Sequence, residues 1–453
     1  PASRYVRRFP IGTTETLNTA SAASLRAFYE REYVPAHATL VVIGDFDADT
    51  VEAAIRSRFT DWAPRPSEAQ PSAGPVNPKD KDRSAIWIDP ALSERLVIQR
   101  NGKWLDEPDT IAQRQENLLR SVGYDIVNRR LQRLARTAEP PFRGAGFGTG
   151  DVFEAGRSTR LIIDSVDGKW AGGLAAATRE YRRALATGFT DAEVAEQGAP
   201  GRTALTNSAG SANTRSNAAL AAAALSLVED RQVPSTPQAV LDRFTTFAPQ
   251  ITPAAVLAAI KREAVALDKP LIRFEGRTAP VGGEKALRDG WKQAMRAPLP
   301  TEQAAATTEF GYTDFGTPGT VVSDKLDPLY GIREVRFANG VMLNLKHTDI
   351  TKDRIAVSIA IDGGSMLDTR ANPHATDMVP YMDEGGLGKH SRDELDTIMA
   401  GHTLGFGLGK GEASFGAQAG TTPRDLELQL QLLTALITDP GYRMEGEVQY
   451  RQQ

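Results

Sequence analysis

Residues 21–44 read SAASLRAFYEREYVPAHATLVVIG, and residues 252–276 read TPAAVLAAIKREAVALDKPLIRFEG. Each stretch opens on a hydroxyl residue, Ser21 or Thr252, able to cap the first turn of a helix. In the first, Leu25, Phe28 and Tyr29 fall on one helical face. A proline turn follows, and the apolar run Ala38-Thr-Leu-Val-Val-Ile43, closed by Gly44-Asp45, predicts a buried strand. The second stretch repeats the order of capped helix, proline turn and strand about 230 residues later, a period that means a duplicated domain rather than a solenoid.

Working outward, Asp47 starts a further helix with Val51, Ala54 and Ile55 on one side. Two proline-rich stretches divide the chain. Residues 60–84 hold Pro64, Pro66, Pro71, Pro75 and Pro78, and proline supports neither a helix interior nor a central strand. Residues 297–331 are rich in Pro, Thr and Gly. The expected organisation is therefore 1–60, a linker over 61–84, a block over 85–296, a linker over 297–331, and a block over 332–453.

The middle block carries predicted strands at 85–89, 95–100 and 159–166, and helices at 110–136 and 170–186. Thr190-Asp-Ala-Glu193 is a capping box for the next helix. The last block opens on Asn339-Gly340, the preferred pair for a type I′ hairpin turn between REVRF and VMLNL. A strand at 354–362 follows, then a capping box at Ser391-Arg-Asp-Glu394. Strand-like runs at 403–408 and 411–419 lead to Thr422-Pro423, read as an N-cap and first helical residue, with Leu426, Leu430, Leu433 and Ile437 behind them. The strand pair opening the middle block resembles the hairpin opening the last, about 245 residues on. The fold class is α+β: repeated domains, each a largely antiparallel sheet with helices on one face. Measured against the repeat, the chain is expected to hold the second half of one copy, one whole copy and the first half of a third.

The net charge is −4, and no basic run marks a nucleic-acid or membrane surface. No apolar stretch approaches the length of a transmembrane helix. There are no cysteines, which excludes thiolate nucleophiles, disulfides and cysteine zinc sites. Five histidines, His37, His347, His374, His390 and His402, are scattered, and the nearest pair, His390 and His402, are 12 residues apart. A helix brings two imidazoles to one metal at a spacing of about four, so no zincin motif can be written. His374, Asp377, Asp383, Glu384 and His390 form a loose acid–histidine group better read as a solvated loop than as a metal site. His37, after a proline turn, reads as a packing or hydrogen-bonding residue. Asp45 and Asp47 sit where acids turn and cap. Residues 142–150, FRGAGFGTG, lack the strand–glycine–helix order and lysine of a phosphate loop and read as a flexible hairpin or loop. GFGLGKGEASFG, 405–416, has strand residues on both sides and reads as a hairpin with its turn at Lys410-Gly411. No serine sits in a G-x-S-x-G elbow.

The stretch from Ser3 to Asp47 resembles the pitrilysin/insulinase family of metallopeptidases, in particular its PqqL-like bacterial branch. Arg8-Phe-Pro-Ile-Gly-Thr13, the Phe28-Tyr29 pair, Tyr33-x-Pro35 and the closing Val-x-Gly-Asp-Phe run carry the likeness. Thr187–Val194 resembles the family's helix entry in later domains, and REVRFANGVMLNL resembles the opening of its odd-numbered domains. The resemblance implies a clamshell of four α+β domains around a peptide chamber. It also implies zinc held by an inverted H-x-x-E-H motif plus a distant glutamate. In the family that motif precedes the residues matching Ser3, and where a second copy would fall, in 375–386, Met378 and Met382 stand in place of histidines. The chain is thus identified as an interior section of a zinc metalloendopeptidase, with no catalytic and no metal residue of its own. Zinc and peptide substrate belong to the parent protein, alongside its remaining peptidase-like domains; nucleic acid and membrane are not expected partners. The alternative is a non-catalytic structural or partner subunit of the same family. The likeness points to the periplasm, with the cytoplasm left open.

Overall fold

The computed structural model describes residue 4 and residues 11–65, 72–74, 76–299 and 309–452. Most of the Arg8–Thr13 motif and parts of both linkers therefore lie outside the described residues.

The first block is helical. α1 (Thr14–Thr19), α2 (Ala22–Glu32) and α3 (Ala48–Phe59) are capped by Thr13, Ser21 and Asp47, each accepting from a backbone N–H of the first turn. The strand expected over 38–43 is not formed. These residues run without ladder partners, and Leu40, Val42 and Ile43 are exposed. A strand is defined by its neighbour's hydrogen bonds, and none of the described residues supplies one. None of the three helices buries a residue, so Leu25, Phe28 and Tyr29 also lie on the surface.

The middle block is a complete two-layer unit. Its elements are β1 (Arg83–Ile88), β2 (Arg95–Gly102), α4 (Ile111–Ala135), β3 (Gly144–Val152), β4 (Gly156–Asp164), α5 (Trp170–Thr187), α6 (Asp191–Gly210), α7 (Asn217–Glu229), α8 (Pro237–Phe247), α9 (Pro253–Glu263), β5 (Leu271–Gly276) and α10 (Gly283–Arg296). The strands order as β1-β5-β2-β4-β3. Only β1 and β5 run parallel; the other pairs are antiparallel. Alternate residues of the strands, among them Leu96, Ile98, Phe147, Leu161, Ile163, Ile272 and Phe274, point into one core. There they meet Ile126 and Leu131 of α4, Leu174 and Ala177 of α5, and Val256 and Ile260 of α9. At roughly 1.5–3 kcal/mol per buried large side chain, this core is the main source of stability. Gly123 lets α4 and α9 meet closely, because a Cβ there would lie 2.3 Å from Ile260 Cδ1.

The last block comprises β6 (Val321–Asp327), β7 (Ile332–Phe337), β8 (Met342–Lys346), β9 (Ile355–Asp362), α11 (Arg392–Met399), β10 (Gly409–Lys410), β11 (Ser414–Thr421), α12 (Leu426–Thr438) and α13 (Met444–Gln452). They form two separate three-stranded sheets, β6-β7-β8 and β10-β11-β9. β6 falls inside the expected linker, where Val321 and then Ser323 to Asp327 pair onto β7, with a bulge at Val322, despite the proline and glycine before them. The Asn339-Gly340 turn is not type I′. Only Gly340 takes positive φ (+90°), giving a three-residue loop with a left-handed glycine. Residues 403–408 are not a strand, because the Gln429 amide binds both the N–H and the C=O of Gly405 (2.7 and 2.8 Å). α12 starts after Asp425, with no side-chain cap, rather than after Thr422, and its buried face is Gln429, Leu432, Leu433 and Leu436, which leaves Leu430 and Ile437 outside. Among the described residues no helix is long and apolar enough to cross a membrane.

Candidate functional site

β3 is the outermost strand of the middle sheet, GAGFGTGDV, paired only with β4. The segment expected to be a flexible hairpin or loop is the first strand of a regular hairpin, joined to β4 across residues 153–155. Its odd residues face the core: Phe147 lies against Tyr124 and Tyr181, with ring centroids 5.6 and 5.2 Å away. Its even residues are Gly144, Gly146, Gly148 and Gly150, all on the face away from the helices. A Cβ added to Gly144, Gly148 or Gly150 would meet nothing within 4 Å. Packing does not demand these glycines. They leave a smooth floor, flanked on β4 by Ser158, Arg160 and Ile162, and a groove of ≈ 430 Å³ runs along it.

The edge of β3 carries one occupant. The Phe147 N–H donates to Asn128 Oδ1 (2.8 Å), and Asn128 Nδ2 donates to the Phe147 carbonyl (3.2 Å). The side-chain amide of α4 thus stands where the backbone amide of another strand would pair. Because backbone groups alternate in direction along a strand, those of Ala145 and Thr149 turn the same outward way.

Beside the groove lies a second cleft, of ≈ 530 Å³, lined by Asp125, Arg129, Arg136, Arg143 and Glu384 among others. Arginines at helical spacing on α4 cross from the middle to the last block here. Arg129, almost fully buried, meets Glu196 (3.0 Å), Asp393 (2.7 Å) and Asp396 (3.2 Å). Arg133 reaches Glu196 and Asp393, and Arg136 reaches Asp396 and Glu384. Arg392 joins from α11 through Asp383 and Asp396.

The five histidines do not converge. His374 Nδ1 lies 2.6 Å from Asp377, which also binds Lys410. Asp383 and Glu384 are committed to Arg392 and Arg136. His390 is buried, its Nε2 accepts the Gly311 N–H (2.8 Å), and burial holds its pKa below the usual imidazole value. His402 Nδ1 pairs with Asp425 (2.8 Å), whose carboxyl stays well below the usual range despite burial because Arg424, the Thr403 N–H and His402 all favour its charge. His37 Nδ1 is 3.0 Å from the Glu32 carbonyl.

Against known proteins, residues 19–197 match the family described as "Peptidase M16 inactive domain". Through that stretch the chain is similar to the M16 (pitrilysin/insulinase) peptidase family and its PqqL-like branch. The chain is 26% identical over 141 residues to the zinc protease PQQL-like of Arabidopsis thaliana, covering 31% of the chain and 15% of the relative. It is 30% identical over 145 residues to the probable zinc protease PqqL of Escherichia coli K12, covering 30% of the chain and 15% of the relative. In fold it is similar to a variant of the ferredoxin protease FusC in complex with Arabidopsis ferredoxin, with TM-score 0.61, 16% identity, and 100% of this chain against 51% of that one. The periplasmic protease PqqL from Escherichia coli gives TM-score 0.54 and 17% identity, with 96% of this chain against 49% of that one. The chain therefore spans about half the length of these structures, and the two similarities show the α+β fold.

Zinc, which M16 peptidases imply, does not fit the residues present. Met378 stands just before a short 3₁₀ turn over Val379–Gly385 and Met382 lies within it, and thioethers are poor zinc ligands. Among the described residues no group of three His, Asp or Glu is placed to hold a metal. What the sequence missed was the β3 edge. The alternation of glycine with Ala145, Phe147 and Thr149 was its signal, since period two marks a strand even when one face is bare.

Proposed function

We propose that this chain is the supporting, peptide-holding section of a zinc metalloendopeptidase, and that it holds peptide in extended form along the outer edge of β3. Residues 1–60 serve as the second half of a first peptidase-like domain, 85–296 as a second, non-catalytic domain, and 332–453 as the first half of a degenerate third. The metal chemistry lies in the parent's own zinc motif, not in these residues. The single observation that carries the reading is an outer strand that, among the described residues, pairs with no further strand and is met on its free edge by Asn128, with a bare glycine face; the Ala145 and Thr149 backbone groups offer hydrogen bonds and the glycines open room for side chains. The cysteine-free composition and the similarity to a periplasmic protease support a periplasmic setting.

Binding of a fluorescent unstructured peptide to the full chain tests it. Ala145→Pro removes one outward N–H that an added strand would use, and proline is tolerated on an edge. We expect binding to weaken about 5- to 10-fold, as one or two lost hydrogen bonds dictate, with the melting temperature nearly unchanged. A wild-type chain that binds no peptide, or a proline variant that binds equally well, overturns the reading. The second reading, a non-catalytic partner subunit, is decided by whether the genomic sequence ahead of Pro1 encodes H-x-x-E-H.

A further inference from the structure

Phe310, Gly311 and Tyr312 lie where a linker was expected, yet the last block grips them. Both backbone groups of Gly311 are held by adjacent residues: its N–H donates to Nε2 of His390 (2.8 Å), and its carbonyl accepts from Nζ of Lys389 (2.7 Å). Tyr312 is buried in the core formed by Leu387, Leu395, Leu432 and Leu436. Its phenol accepts the Lys389 N–H (2.8 Å) and donates to Asp439 (2.7 Å). The Phe310 ring stacks on the His390 imidazole, with centroids 5.7 Å apart. Gly311 permits this closeness, because a Cβ there would stand 3.2 Å from His390 Nε2. The three residues form a strap, and His390 is its catch.

The catch works in one protonation state. A backbone N–H can only donate, so Nε2 must present its lone pair to Gly311. A protonated imidazole carries hydrogen on both nitrogens, and Nε2–H would then face the Gly311 N–H, donor against donor. The surroundings resist the proton as well. Burial, with the charges of Arg443 and Lys389, holds the His390 pKa below the ordinary imidazole value, while Glu394 pulls the other way. Arg443 is fixed in place by the backbone carbonyls of Gly385, Leu387, Gly388 and His390 itself. Glu394 is turned towards Ser391 at the start of α11, and Asp439 reaches the strap through the Tyr312 phenol.

We infer that the strap over Phe310–Tyr312 is a proton-operated latch on the entry to the last block, shut while His390 is neutral and opened by its protonation. The last block supplies Glu384 and Gln449 to the cleft beside β3, so mild acid loosens the attachment of one wall of that cleft. With the latch shut, the imidazole refuses a proton that it accepts readily once the latch is open. The latch is therefore complete above the ordinary imidazole value of about 6.5. Below it, opening becomes about tenfold more frequent per pH unit, until the lowered value of the shut state is reached.

Amide hydrogen exchange on the full chain from about pH 8 to about pH 5, corrected for the intrinsic rate at each pH, tests this. Protection of the Gly311 and Tyr312 amides should stay level above about pH 7 and then fall about tenfold per unit. His390→Gln keeps an acceptor but cannot titrate, so its strap should lose the slope. Tyr312→Phe removes two hydrogen bonds but no group that titrates in this range, so protection should drop at every pH and the slope should remain. It also serves should the glutamine variant not fold. A wild-type strap indifferent to pH, or a fall of equal slope in β4 of the middle block, overturns the inference. So does a His390→Gln strap that keeps the slope, or a Tyr312→Phe strap that loses it.

Discussion

The helix–turn–strand unit occurs twice in this chain with the same local grammar and opposite fates. In the middle block, Val256, Ala259 and Ile260 of α9 and Ile272 and Phe274 of β5 are buried, and β5 is clasped between β1 and β2. In the first block, α2 buries nothing, and residues 38–43 form no ladder, with Val42 43% and Ile43 37% exposed. Capping and helix propensity are satisfied in both, since Ser21 accepts from the Ser24 N–H as Thr252 accepts from that of Ala255. The difference teaches that caps and periodicity fix a helix, whereas a strand and a buried face exist only when a second element is there to define them.

The comparison breaks most readily at its core. Phe274→Ala should cost about 3–5 kcal/mol in chemical denaturation, because the ring is fully buried and leaves a cavity. An equal loss from Ile43→Ala would mean that the two units are not different after all; we expect under about 0.5 kcal/mol for that half-exposed position. Next in size is the ionic seam between the middle and last blocks. Arg129→Ala leaves Glu196, Asp393 and Asp396 short of a cation, and should cost about 2–3 kcal/mol, read as earlier unfolding of the last block with the middle block intact.

A smaller effect sharpens the contrast by pH. Asp109 accepts from Arg114 Nε and Nη2 (2.6 and 2.5 Å) and from the Val233 N–H (2.7 Å), which lowers its carboxyl pKa to about 2. A folded-state value below the unfolded one gives stability that is present above the ordinary aspartate range and is lost as pH falls through that range towards 2. Asp109→Asn should therefore destabilise by about 1 kcal/mol at neutral pH, with the gap to wild type closing in acid melts. No comparable acid-linked tether joins α2 to its surroundings among the described residues, so Leu25→Ala should shift the melt least of all, within about 0.5 kcal/mol.

Much of the fold was legible because helix signals are local. Thr190, Ser391, Thr252 and Asp47 each announced a helix that is there. The misplaced cap is instructive. Thr422-Pro423 has the right composition, but the helix starts after Asp425, whose carboxylate makes no cap because it is taken by the Thr403 N–H, His402 and Arg424. The expected strand at 403–408 failed for a related reason, since the Gln429 side chain satisfies the backbone that a neighbouring strand would have claimed. The glycine-rich run at 142–150 is the hairpin that was one of its two readings, but a regular and anchored one: glycine suggested looseness, and nothing in the run names the partners that hold Phe147. The candidate edge was visible only once β3 had been placed outermost.

By itself, the sequence determined the family likeness, the two-layer α+β class, the duplication and the lack of two imidazoles close enough for one helical metal site. Those are properties of residue type and spacing, which do not depend on how distant segments meet. The tertiary structure alone decided which strand has a free side, which apolar run is clasped and which is bare, and how α4 arginines bind acids more than 250 residues away. Strand pairing and burial are relations between segments, and a linear pattern specifies one member of each relation without naming the other.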